Sequence, residues 1–215
     1  MNRILDRNNS FFMTLERMAN FCILNVLTLF CCVPIITAGA SITAGYKVMQ
    51  CFLIDGEQPI VKTFFQSFRS NFWQSTGLWL IALFILTFLG FDVMIVYLHF
   101  QQGMNIVMYI ILGIIGFMVL GTVAYAFALI ARYENTFRGH FDNALYLVFR
   151  MLPRTFAMVV LAVSPVLIFV CSPVVFIFTL PLWVLIGVSS IVYLETRLLM
   201  PVFALLEEDS EEQGE

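Results

Sequence analysis

Charge is scarce in this chain. Lys, Arg, Asp and Glu together make up 12% of its 215 residues, against about 25% in soluble domains. A water-facing surface cannot be covered with half the usual charge. No Lys or Arg occurs between Arg69 and Arg132, or between Arg154 and Arg197. The motifs of chemistry are missing as well. There is no G-x-x-x-x-G-K-S/T phosphate loop, which excludes an ATPase of that class. Neither His99 nor His140 sits near a cysteine, and no C-x-x-C occurs, so no zinc site or disulfide framework is expected. Cys22, Cys31, Cys32, Cys51 and Cys171 all lie in apolar stretches and read as small packing residues. No catalytic residue, cofactor, metal or nucleic-acid partner is expected, and the chain reads as non-enzymatic.

Hydrophobic residues account for 61% of the chain. Runs such as "LWLIALFILTFLGF" and "IVMYIILGIIGFMVLG" are apolar on every face, whereas membrane β-strands alternate with period two. About 20 apolar residues span a bilayer as a helix. The fold class is therefore all-α: a polytopic helical membrane bundle of about five to six membrane segments, partnered by the lipid bilayer. Six of the fourteen acids fall after Leu206, in "EEDSEEQGE". Residues 1–206 read as one transmembrane domain, and 207–215 as a solvated, disordered acidic tail.

The apolar run from Phe21 follows Arg3, Arg7 and Arg17, and "AGA" at 38–40 fits a cleavage site. Asp6 and Glu16 interrupt the basic region, so a retained first helix is expected. A single crossing over 18–54 would place the N-terminal arginines opposite Lys62, Arg69, Arg132, Arg138, Arg150 and Arg154. The positive-inside rule instead favours a hairpin over 21–54 that turns near Pro34 to Gly39, with both termini cytoplasmic. Ala40, Ser41, Ala44 and Gly45 then form small-xxx-small pairs for close helix contact.

Two amphipathic helices are expected at the membrane interface. The first, 60–74, carries Phe64, Phe68 and Phe72 on one stripe and precedes spans 77–98 and 106–131. The second, 134–150, carries Phe137, Phe141 and Leu145 in the same spacing and precedes spans 155–178 and 182–203. The last two spans divide near "TLP" at 179–181, with Pro165 and Pro173 as kinks and Trp183 at the outer interface. Phe64, Phe68, Phe137 and Phe141 are the candidate partner-facing residues. His140 reads as a solvated interfacial residue.

Three ionisable residues fall within or beside apolar spans, where charge is costly and marks structural or functional sites. Lys47 lies midway along the returning arm of the hairpin and is expected to snorkel or pair. Asp92 has no basic residue at its depth. Glu195 is expected to form an ion pair near the inner interface, with Arg197 or Arg132.

The chain resembles the YesL family of bacterial membrane proteins, whose function is unknown. The resemblance rests on Pro34, Thr37, Gly39, Ala40 and Ser41 in "P-x-x-T-x-G-A-S", and on Phe64, Phe65, Phe68 and Asn71. It continues through Glu134, Asn135, Thr136, Phe137, Arg138, Asn143 and Ala144 to Leu152, Pro153, Arg154 and Thr155. Members are often encoded beside ABC-type sugar importers and membrane sensors. The resemblance thus implies a cell-membrane accessory protein of carbohydrate uptake or sensing. The rival expectation is a small-solute or ion transporter that uses Asp92.

Overall fold

The computed structural model describes residues 10–56, 59–99 and 104–212. Arg3, Arg7, Asp6, residues 100–103 and the last three residues lie outside the described set. Among the described residues every regular element is helical. In order these are α1 (Ser10–Cys32), α2 (Ala38–Ile54), α3 (Ile60–Ser70), α4 (Phe72–His99), α5 (Met104–Arg132), α6 (Phe137–Arg150), α7 (Leu152–Cys171), α8 (Pro173–Leu182) and α9 (Val188–Glu212). Among the described residues five stretches are long and apolar enough to cross a membrane: Leu15–Cys32, Phe72–His99, Ile106–Arg132, Leu152–Cys171 and Pro173–Glu207. The protein is an all-α membrane bundle.

Helix α2 is the hub, against which α1, α3, α4, α5 and α9 all pack. Its sequence explains why. Helices in lipid gain little from apolar burial and associate through close backbone approach and polar contacts. Ala40, Ser41, Ala44 and Gly45 are all buried, and the Ser41 hydroxyl donates to the Thr28 carbonyl of α1 at 2.8 Å. Gly39 is needed for space. A methyl group there would sit 2.5 Å from Trp79 Cβ and 2.6 Å from the Ser75 carbonyl oxygen on α4. A single 3-10 turn, Ile35–Thr37, links α1 to α2, and the Trp79 indole donates to the Ile35 carbonyl at 2.7 Å. At 1.5 Å per residue α2 reaches about 26 Å, short of a hydrocarbon core of roughly 30 Å.

The second half departs from the expected division. The chain breaks at Ser172, whose hydroxyl caps α8 by accepting from the Val175 amide at 3.4 Å. Pro173 is therefore the first residue of a helix, a position that needs no amide donor, and is not a kink. Pro165 does lie inside α7. Through "TLP" the chain stays helical, and a π-helical turn, Trp183–Gly187, joins α8 to α9. Such a turn leaves backbone groups misaligned for ordinary pairing. Asn25 of α1 supplies the missing partners. Its amide donates to the Trp183 and Val184 carbonyls at 3.0 and 2.6 Å, and its oxygen accepts from the Ser189 amide at 2.9 Å. Trp183 thus lies level with Asn25, about 10 Å along α1 from Cys32.

Of the expected disordered tail 207–215, residues 207–212 are helical. Helix α9 runs on through Glu212, and Glu207 is held to Arg132 at 2.7 Å.

Candidate functional site

One end of the bundle gathers the C-terminal half of α2, all of α3, the first turn of α4, the last turn of α5 and the loop into α6. Between them lies a recess of about 670 Å³, within the size range of small-molecule sites. Lys47 enters it from α2. The opposite wall carries Ser67, Asn71 and Gln74, and Trp73 and Tyr133 supply aromatic surface at the margin.

The polar walls are partly tied to each other. The Asn71 amide donates to the Ser67 hydroxyl at 3.2 Å, and the Gln74 amide donates to the Asn135 carbonyl at 3.0 Å. Arg132 reaches Glu207 through two nitrogens, at 2.7 and 3.1 Å, and its guanidinium lies over the Phe203 ring at 4.8 Å. The Tyr133 hydroxyl donates to the same Glu207 oxygen at 3.1 Å. Burial, reinforced by that bond to a carboxylate, pushes the Tyr133 phenol above its ordinary value. Lys47 differs from all of these. It is the one half-buried residue between Thr43 and Gln50, and it makes no hydrogen bond or ion pair among the described residues.

The three ionisable residues singled out in the sequence occupy separate places. Tyr46 and Lys47 point about 100° apart around α2, so Tyr46 faces α9 while Lys47 faces the recess. Glu195 is 4% exposed. Its partner is the Tyr46 hydroxyl, which donates to one carboxyl oxygen; the other oxygen has no partner among the described residues. The expected ion pair with Arg197 or Arg132 is therefore corrected, since Arg132 is engaged by Glu207. Asp92 stands exposed on α4, about 27 Å along the helix from Gln74, with no described hydrogen bond or ion pair.

The phenylalanine stripes are not equivalent. Phe64 is fully buried against the core and Phe68 stacks on it, so the expectation that Phe64 faces a partner is corrected. In α6 the buried face is His140, Ala144, Leu147 and Val148, which leaves Phe137 and Phe141 38% and 41% exposed. They wall an apolar groove of about 370 Å³ against α4 and α5. His140 is 2% exposed, not solvated, and burial holds its imidazole below the ordinary value.

Sequence reasoning missed Asn25, Tyr46 and Gln50, whose amide donates to the Ala128 carbonyl at 2.9 Å. A signal was available for two of them: an amide inside an apolar helix needs a partner, and Asn25 and Gln50 both lie in such runs.

Residues 21–93 match the model of a family described as "Protein of unknown function, DUF624". That stretch contains the second half of α1, all of α2 and α3 and much of α4, and so brings Lys47 and the Ser67–Asn71–Gln74 wall of the recess. No curated protein and no solved structure matches the chain.

Proposed function

We propose that this protein is a non-enzymatic accessory component of the bacterial cell membrane, working beside a carbohydrate importer or membrane sensor. The resemblance to the YesL family supports the carbohydrate link. The observation that carries the docking role is the rotation of α6. By burying His140 and Ala144, it leaves Phe137 and Phe141 beside Leu78, Ala82 and Val119 in a groove along α4 and α5. A lining of aliphatic side chains flanked by aromatic rings, with Ala82 and Thr122 as its small residues, suits a transmembrane helix of a partner, because small residues let backbones approach in lipid. The transporter alternative is less supported, since Asp92 stands on the outside of α4, far from the recess.

A photo-crosslinking residue at Phe141, in the full chain in native membranes, tests this reading. An adduct with an importer or sensor subunit is the expected product, and it disappears with Ala82→Phe, which fills the groove. Adducts with lipid alone overturn the proposal.

A further inference from the structure

We propose that the recess around Lys47 is a binding site for a phosphate-bearing molecule. Neither the α6 groove nor a membrane partner enters this inference, which stands on charge and geometry at the other side of the α5–α6 loop.

The lysine is costly where it stands. Eleven residues of α2 are buried, and Lys47 lies about 12 Å along the axis from Asp55 at the helix end. An ammonium at such a place needs water, a counter-charge or both. The second cation of the recess, Arg132, already has a counter-charge in Glu207. Lys47 has none among the described residues, while Glu134 at the rim is exposed to solvent. The recess therefore offers one half-buried positive charge with no ion-pair partner among the described residues.

The chemistry of the walls narrows the guest. The planar fork of Arg132, which suits a carboxylate, is engaged. What remains is a point charge with three donors, set among hydroxyl and amide groups from Thr63, Gln66, Ser67 and Asn71, with the exposed Glu134 carboxylate at the rim. That combination suits a tetrahedral oxyanion, for which lysine is a point-charge ligand. A volume of about 670 Å³ has room for a phosphate with an organic group attached. Trp73, 85% exposed at the margin, offers a flat apolar face to that group. The phosphate has two sources, a soluble phosphate ester or an anionic lipid headgroup.

The sequence provides an internal control, because Lys47 and Lys62 are its only lysines and Lys62 is exposed on α3. The full chain is washed into maltoside micelles, which hold no phosphate, and labelled with an amine-acylating reagent. Mass spectrometry reads both lysines. One arm adds inorganic phosphate or glycerol 3-phosphate; another adds phosphatidylglycerol to the micelle; a third adds sodium chloride at matched ionic strength. Labelling of Lys47 is expected to slow by the factor 1 + [L]/Kd, about tenfold at ten times Kd, with Lys62 unchanged. Protection by the soluble probes assigns a phosphate ester, and protection by phosphatidylglycerol alone assigns a headgroup. Lys47→Gln is expected to weaken binding roughly ten- to a hundredfold, the value of a charge-assisted hydrogen bond, while Lys47→Arg retains most of it. The labelling of wild-type protein decides the matter even where Lys47→Gln does not fold. No selective protection in either arm, equal protection by chloride, or a Lys47 that never reacts overturns the site.

Discussion

The carboxamide of Asn25 holds the backbone amide of Ser189 at 2.9 Å, across the whole sequence from first helix to last. With its donations to Trp183 and Val184, Asn25 closes the π-helical turn between α8 and α9. Asn25→Leu is expected to leave those buried backbone groups unpaired, at a cost of roughly 1–3 kcal/mol. Thermal unfolding of the detergent-solubilised protein measures it. Leu27→Ala at a half-buried neighbour serves as comparison, and an equal or smaller loss for Asn25→Leu would contradict the clasp.

Gly39 is limited by space, not by conformation, since it lies within a helix and only Gly56 among the described residues has positive φ. Gly39→Leu is expected to reduce folded membrane yield sharply. Gly113→Leu, where nothing lies within 4 Å, is expected to leave it near wild type. Fluorescence-detected size-exclusion chromatography compares the two.

The Tyr46–Glu195 contact joins α2 to α9. Glu195→Gln keeps an acceptor for the tyrosine hydroxyl and is expected to be mild. Glu195→Leu strands that hydroxyl in the core and is expected to cost roughly 1–3 kcal/mol. Should the two variants melt together, the hydrogen bond contributes nothing.

His140 predicts a pH dependence. Burial lowers its folded-state pKa below the ordinary 6.5, so the unfolded chain binds the proton more readily. Its contribution to stability is complete above about pH 6.5 and declines as pH falls through the lowered value. Melting temperatures from pH 8 to pH 5 are expected to drop more steeply for wild type than for His140→Phe. Parallel curves would remove the assignment.

Lys62, Arg69, Arg132 and Arg138 all lie at the recess end of the bundle or in the helices that frame it. The positive-inside rule then predicts that this end and both termini face the cytoplasm. A reporter active only outside the cytoplasm is expected to signal at Gly103 and to stay silent at Gly214. The opposite pattern would invert the bundle.

The sequence by itself determined the medium and the class of fold. With so little charge and such long apolar runs, only helices satisfy their backbone groups within lipid. It also carried the close contact at Gly39, because glycine among small residues signals backbone approach whatever the neighbour is. What it could not carry was rotation about each helix axis. Phe64 and Phe137 share a stripe and a spacing, yet one is buried and the other walls an open groove. Periodicity defines a face without saying which neighbour that face meets. The same limit hid the partners of charge: Glu195 found Tyr46 instead of arginine, Arg132 found Glu207 beyond the expected end of order, and Lys47 was left facing a recess. Those pairings join residues 75 to 149 positions apart, and only the packing of α5 and α9 around α2 decides them. The expected kink at Pro173 became a helix start for a related reason. A proline restricts its own backbone, but whether a helix bends or restarts there depends on what satisfies the groups it frees. Here Ser172 caps the new helix by accepting from the Val175 amide, and Asn25 pairs the backbone groups of the π-turn from the far end of the chain.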